Sequence, residues 1–158
     1  MSGQAIYRTP IAPEWIDYNG HVRDAYYGLM VSYALDALMD QLGMDAAYRE
    51  QSNASLYTVE THTHFLREIN ASDQVEVRVR VIGADEVRLH TALELVCDGK
   101  EKPSATCEAM LVHVSTSPTV RIAPFPPQVA AAIAKLRQDT AAMAAAGPGS
   151  RRMEVVSR

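Results

Sequence analysis

The sequence predicts an α+β domain in which a curved antiparallel sheet wraps one long helix, with a further helix near the C-terminus. Two observations carry this. Residues 25–42 have helical period and are apolar nearly all round, which marks a buried helix. From Ser55 the period changes to two and holds through four long segments joined by short turns. Consecutive strands with tight turns pair antiparallel, and a helix with no polar side must be enclosed by the sheet they build. The 158 residues suit one core, expected over 1–147, with 148–158 as a flexible tail.

Gln4 to Thr9 carries β-prone residues and is read as a first strand, stopped by Pro10 and Pro13. The long helix follows, from about Ala25 to Leu42, with Asp24 as N-cap and Gly43 at the C′ position. Ser32, Asp36 and Asp40 form its single polar stripe. A short helical turn, Asp45 to Gln51, ends at Ser52-Asn53. Beyond Ser55, strict alternation sets Leu56, Thr58, Glu60, His62, His64 and Leu66 on one face and Tyr57, Val59, Thr61, Thr63, Phe65 and Arg67 on the other. Ala71-Ser72-Asp73 reads as a turn, and Val75, Val77, Val79 and Val81 form the inward side of the next strand. Gly83 to Glu86 connects to a strand carrying Leu89, Thr91, Leu93 and Leu95. Asp98-Gly99 turns the chain into the last long strand, with Ala105, Cys107, Ala109, Leu111 and His113 on one side. Ser117 to Pro127 is irregular, Gln128 to Ala146 helical, and Gly147-Pro148-Gly149 ends the helix. One sheet around one helix leaves an open edge, so a homodimer is expected, with a tetramer left open.

Composition narrows the function classes. Net charge is −4 and no basic block precedes Arg151-Arg152, so nucleic acid is not an expected partner. No apolar run approaches the roughly 20 residues that span a bilayer, and residues 1–10 lack the pattern of a signal peptide. A cytoplasmic protein without a membrane partner is expected, and Cys97 and Cys107 fit free thiols there. His62, His64, His90 and His113 make no metal-ligand spacing, so neither metal nor cofactor is expected.

The chemistry concentrates between Trp15 and Tyr27, just before and within the start of the long helix. Trp15, Tyr18, Tyr26, Tyr27 and, further on, Tyr33 are half of the chain's aromatics, with Glu14, Asp17 and Asp24 among them. Aromatic faces beside carboxylates suit a quaternary ammonium group, which donates no N–H bond and is held by cation–π attraction. The plainer reading makes Tyr33 and one of Tyr26 or Tyr27 ordinary core. Asp17 beside Asn19-Gly20 has the residue types of a surface turn.

The run Asp17-Tyr18-Asn19-Gly20-His21-Val22-Arg23-Asp24-Ala25-Tyr26-Tyr27 resembles the Asp-x-x-Gly-His-Val-Asn-Asn-x-x-Tyr signature of hotdog-fold acyl-CoA thioesterases of the 4-hydroxybenzoyl-CoA type. Arg23 and Asp24 stand where that signature has two Asn. Phe65-Leu66-Arg67 with Asp73-Gln74-Val75, and Ser104-Ala105-Thr106 through His113-Val114, are similar to the family's strands, so the resemblance spans about Tyr7 to Val129. Trp15-Ile16-Asp17-Tyr18-Asn19-Gly20-His21 followed by Arg23-Asp24-Ala25-Tyr26-Tyr27 resembles more closely the betainyl-CoA thioesterases of carnitine degradation.

That resemblance implies hydrolysis of betainyl-CoA to glycine betaine and CoA. It makes Asp17 the attacking carboxylate, as general base on water or as nucleophile. It makes the backbone N–H of Asp24 the oxyanion donor, at a helix N-terminus whose first N–H groups are unpaired. Gly20 allows close backbone approach, His21 is positional or assists as acid or base, and Asn19, Gly20 and His21 are counted with the substrate-binding residues. Trp15, Tyr18, Tyr26, Tyr27, Tyr57 and Glu60 are candidates for the acyl group. Strict alternation puts Tyr57 and Glu60 on opposite faces, so both contribute only if one acts across a dimer. Arg67, Arg88, Lys100, Lys102 and Arg121 are the cations available for the CoA phosphates. Three functions compete: a thioesterase for this or another short or aromatic acyl-CoA, a hotdog dehydratase, which would use a different catalytic pattern, and a non-catalytic quaternary-ammonium binder in which Asp17 is dispensable.

Overall fold

The computed structural model describes residues 3–143. The order is β1 (Gln4–Pro10), α1 (Asp24–Gln41), α2 (Ala46–Ser52), β2 (Ala54–Phe65), β3 (Gln74–Ala84), β4 (Arg88–Cys97), β5 (Ala105–Ser115), β6 (Arg121–Ile122) and α3 (Pro127–Thr140). The strands form one curved sheet in the order β1-β3-β4-β5-β2, and every pairing is antiparallel. Two short elements are absent from the sequence reading: a 3-10 turn at Pro13–Trp15, and β6, which pairs with the end of β5 through Val114 and Ile122. Among the described residues no helix is long and apolar enough to cross a membrane. Helix α3 ends at Thr140, short of the Ala146 expected, and Ala141 caps it; the expected 148–158 tail lies outside the described residues.

The inward faces read from the alternation are the core. Val75, Val77, Val79, Leu89, Leu93, Leu95, Ala105 and Ala109 are fully buried, against Met30, Ala34 and Leu38 of α1. Burying each large side chain contributes about 1.5–3 kcal/mol. Helix α3 packs on β3 through Val129, Ile133 and Leu136, and Thr140 Oγ1 accepts the Val81 N–H at 3.3 Å.

Gly43 has φ +81° and closes α1 as expected. Its N–H donates to Asp40 O and that of Met44 to Met39 O, the paired bonds of a Schellman end. Asp45 caps α2, accepting from Tyr48 N at 2.8 Å, and Asn53 ends it in the left-handed region.

Two expectations change. Helix α1 is not enclosed on every side: Ala25, Gly28, Ser32, Asp36 and Asp40 form an exposed stripe and Tyr33 is 42% exposed. The sheet covers one side of the helix, and the described residues supply no second layer. The alternation of β2 also breaks. Register shifts between Thr58 and Glu60, so Val59 is the extra residue of a bulge. Tyr57 then stands opposite Val112 and Glu60 opposite Met110, which places them on the same face. Thr61, Thr63 and Phe65 share the core-side face with Leu56 instead.

Cys97 and Cys107 are free and buried on adjacent strands. Cys107 pairs with Leu93, four residues from Cys97, too far along the ladder for a disulfide.

Candidate active site

Residues 15–23 fold into a tight hairpin that delivers the chain to α1. Ile16 and Val22 bridge, Asp17 N donates to His21 O at 2.9 Å, and Arg23 N donates to Trp15 O at 2.9 Å. The tip is a turn closed by Gly20 N to Asp17 O at 3.0 Å, with Gly20 at φ +82°, a conformation that favours glycine. Asp17 is half-buried, and its Oδ1 accepts the Asn19 N–H at 2.8 Å. A carboxylate has about four acceptor sites, so this bond leaves capacity for a water. The hairpin is tied in turn to the segment ahead of β3, with Val22 N on Ile69 O at 2.9 Å and a bridge between His21 and Asn70.

Asp24 is not the N-cap. Arg23 holds that position with extended backbone (φ −61°, ψ 143°), and Asp24 is the first helical residue, its Oδ1 accepting the Ala25 N–H at 2.9 Å. The Asp24 N–H therefore heads the helix, where no intrahelical acceptor exists and the helix dipole is positive. Asp24 lines a groove of about 350 Å³ together with Val22, Tyr27, Phe65, Leu66, Arg67 and Glu68. Arg67 also borders a second groove of about 280 Å³, with Lys100, Glu101 and Lys102.

The two grooves are braced. Arg67 Nη1 donates to Pro103 O at 3.2 Å, and Lys100 Nζ lies 3.2 Å from Asp73 Oδ2. Burial works to raise the Asp73 carboxyl, but the Asn70 N–H and Lys100 outweigh it and hold Asp73 below the usual carboxylate range. On the first groove's wall, His21 Nε2 lies 3.1 Å from Glu68 Oε2. Glu68 was not read from sequence. Its only signal is that it follows Phe65-Leu66-Arg67 where the two-residue period lapses.

The expected aromatics do not gather into one cage within this chain. Trp15 and Tyr26 stack on each other at 5.6 Å and 18°. Tyr33 leans on Tyr7 at 5.9 Å, and Tyr18 is 90% exposed at the hairpin tip. Tyr27 is only 5% exposed. It meets Phe65 edge-on at 5.2 Å, and its hydroxyl donates to Arg67 O at 3.3 Å. Tyr57 and Glu60 lie together on β2, where Glu60 Oε1 is 3.0 Å from His62 Nε2.

The five expected cations separate into two ends of the sheet. Arg67, Lys100 and Lys102 share the second groove. Arg88 opens β4 and Arg121 pairs beside Ser115, both at the opposite end of strands roughly 30 Å long. Arg88 is also engaged with Asp85, whose carboxyl it and the Val87 and Arg88 N–H groups hold down at about 2. Neither reaches the Asp24 groove of its own chain. Among the described residues no group of three or more His, Cys, Asp or Glu has the arrangement to hold a metal ion.

Residues 11–133 match the model of the thioesterase-like superfamily. A betainyl-CoA thioesterase of Pseudomonas aeruginosa is 46% identical over 132 residues, covering 84% of this chain and 82% of that protein. An L-carnitine dehydrogenase/betainyl-CoA thioesterase of Agrobacterium fabrum is 40% identical over 121 residues, which are 75% of this chain but 24% of that longer protein. The crystal structure of a putative thioesterase from Pseudomonas putida KT2440 superposes with a TM-score of 0.87 at 34% identity, covering 99% of each chain.

Proposed function

The chain belongs to the thioesterase-like superfamily, and from that premise we propose that it hydrolyses betainyl-CoA to glycine betaine and CoA. The observation that carries the reading is a groove at the Asp24 helix start that shares Arg67 with a second, basic groove. An acyl-CoA is long, apolar-armed and phosphorylated at one end, and this succession offers each part a matching surface. Asp17 supplies the attack on the thioester carbonyl and the Asp24 N–H receives the oxyanion. Arg67, Lys100 and Lys102 take the phosphates. Wild-type protein should release free thiol from betainyl-CoA faster than from acetyl-CoA or 4-hydroxybenzoyl-CoA. Absence of release from all three would sink the hydrolase reading and favour a binding module.

The Trp15–Tyr26 stack is the surface we assign to the trimethylammonium group, with carboxylates Glu14 and Asp17 nearby in sequence. A cation–π contact is worth about 1–2 kcal/mol, so Trp15→Ala should cost betainyl-CoA about 5–30-fold in kcat/KM. Acetyl-CoA should lose much less. Equal losses on both substrates would make Trp15 structural.

For the phosphates, Arg67→Ala and Lys102→Ala should each raise KM for betainyl-CoA by about tenfold, the worth of a charge-assisted bond at a part-exposed site. The corresponding pantetheine thioester, which lacks the nucleotide, should be affected far less. Arg88→Ala serves as the comparison at the other end of the sheet. A KM rise there matching that of Arg67→Ala would move the phosphate site.

A homodimer completes the reading. Among the described residues β2 is an unpaired sheet edge of 12 residues, with Tyr57, Val59, Phe65 and Leu66 exposed along and after it. Pairing there would cover these side chains and bring the Tyr57–Glu60 face toward a second copy. Light scattering should give twice 17.3 kDa or a multiple of that dimer, and a monomer would remove Tyr57 and Glu60 from the site. A cytoplasmic setting suits the two buried free thiols.

A further inference from the structure

The wall of the first groove, Phe65 to Glu68, is the irregular end of β2 and the connection beyond it. Irregular backbone keeps a fixed shape only where something outside it supplies partners. One anchor is Ser104 O on the β5 side, which accepts from both Leu66 N at 2.8 Å and Arg67 N at 2.9 Å. Arg67 Nη1 on Pro103 O and His21 Nε2 at 3.1 Å from Glu68 Oε2 add side-chain ties, and a further anchor comes from α1. Tyr27 touches this segment twice: its ring meets Phe65 edge-on at 5.2 Å and 84°, and its hydroxyl donates to Arg67 O at 3.3 Å.

Tyr27 sits three residues after Asp24, one turn along the same helix. The residues it anchors carry the two groups that bracket the grooves, the Arg67 guanidinium between them and the Glu68 carboxylate on His21. We infer that Tyr27 is a positioning residue: it locks the Arg67 segment to the first turn of α1, setting the phosphate anchor at a fixed place relative to the oxyanion donor. This rests on the thioesterase reading for the meaning of those two groups. It also gives Tyr27 a different task from contacting the acyl group. With 5% exposure and a hydroxyl turned onto main chain, its work is done from beneath the groove.

The test variant is Tyr27→Phe, which keeps the ring and its packing and removes the hydroxyl. KM for betainyl-CoA should rise about three- to tenfold, the fold-change of one hydrogen bond, while kcat falls by a smaller factor. The pantetheine thioester should show the smaller loss only. The double variant Tyr27→Phe/Arg67→Ala should be no worse than Arg67→Ala alone, because a residue that acts through Arg67 has nothing left to position. Additive losses in the double variant, or equal KM increases for the CoA and pantetheine thioesters, would overturn the inference. Titration of free CoA into wild type and Tyr27→Phe gives the same answer without turnover. An inactive wild type that still binds CoA more tightly than the variant would refute the hydrolase reading and leave the positioning role standing. Equal CoA affinities would refute the positioning role alone.

Discussion

Asp17→Asn is expected to lower kcat on betainyl-CoA by about 10²–10⁴-fold, the usual loss when a positioned base or nucleophile is removed. The variant is chosen for what it preserves. Asp17 Oδ1 accepts the Asn19 N–H at 2.8 Å, and an amide oxygen can take that bond over. The Gly20 N–H to Asp17 O bond and the Arg23 N–H to Trp15 O bond are main-chain and do not depend on the side chain. The hairpin and the helix start should therefore remain where they are, and the melting temperature should shift little. What disappears is the charge and the capacity to take a proton or attack a carbonyl. Asp17→Ala removes the turn bond as well and should show a similar kcat with lower stability. Full activity in Asp17→Asn would leave Asp17 as a turn residue, the role its neighbours Asn19 and Gly20 suggest by type. Thiol release at saturating substrate, with a thermal melt of each variant, separates these outcomes.

Most of the fold was legible because its cause is local and repetitive. The four valines from Val75 to Val81 recur at a spacing of two, and one face of a sheet is the place that uses such a spacing. Gly43 was legible because a left-handed residue after an apolar helix is most readily a glycine. The bulge at Val59 left no such trace. It adds one residue to β2 without a Gly or Pro to mark it, and everything beyond it changes face. The partnership of Tyr57 and Glu60 is a consequence of that one residue.

The site was legible as a location and less so as an arrangement. The motif brought Asp17, His21 and Asp24 to one end of α1, and the hairpin bonds account for that physically. The count of aromatics could not say which would find each other. Tyr33 is taken by Tyr7, Trp15 by Tyr26, and Tyr27 by the β2 end, because each pairing depends on strands distant in sequence or on side-chain direction. The cations divide between two ends of the sheet for a related reason. The alternation itself puts Arg88 at the start of the strand whose other end leads to Lys100, but a choice by charge alone takes no account of that separation.

The oxyanion assignment can be tested at the backbone itself. Asp24→Pro removes the N–H and nothing else from the main chain. Proline is well suited to the first helical position, where its fixed φ is helical and its missing N–H would have no intrahelical partner. It also restricts the residue before it to extended backbone with ψ near +120° to +160°, and Arg23 already has φ −61° and ψ 143°. The substitution should therefore fold with a melting temperature close to wild type. Removal of one oxyanion donor is worth about 10²–10³-fold in kcat, and that is the expected loss. Asp24→Ala is the control: it deletes the carboxylate bonded to Ala25 N–H and keeps the main-chain donor, and its loss should be far smaller. If Asp24→Pro and Asp24→Ala lose activity equally, the side chain matters and the N–H does not. A main-chain donor also explains how the hotdog signature tolerates Asp at a position it fills with Asn. A main-chain N–H is present in every residue but proline, so under this assignment the side chain there is constrained only by the helix start.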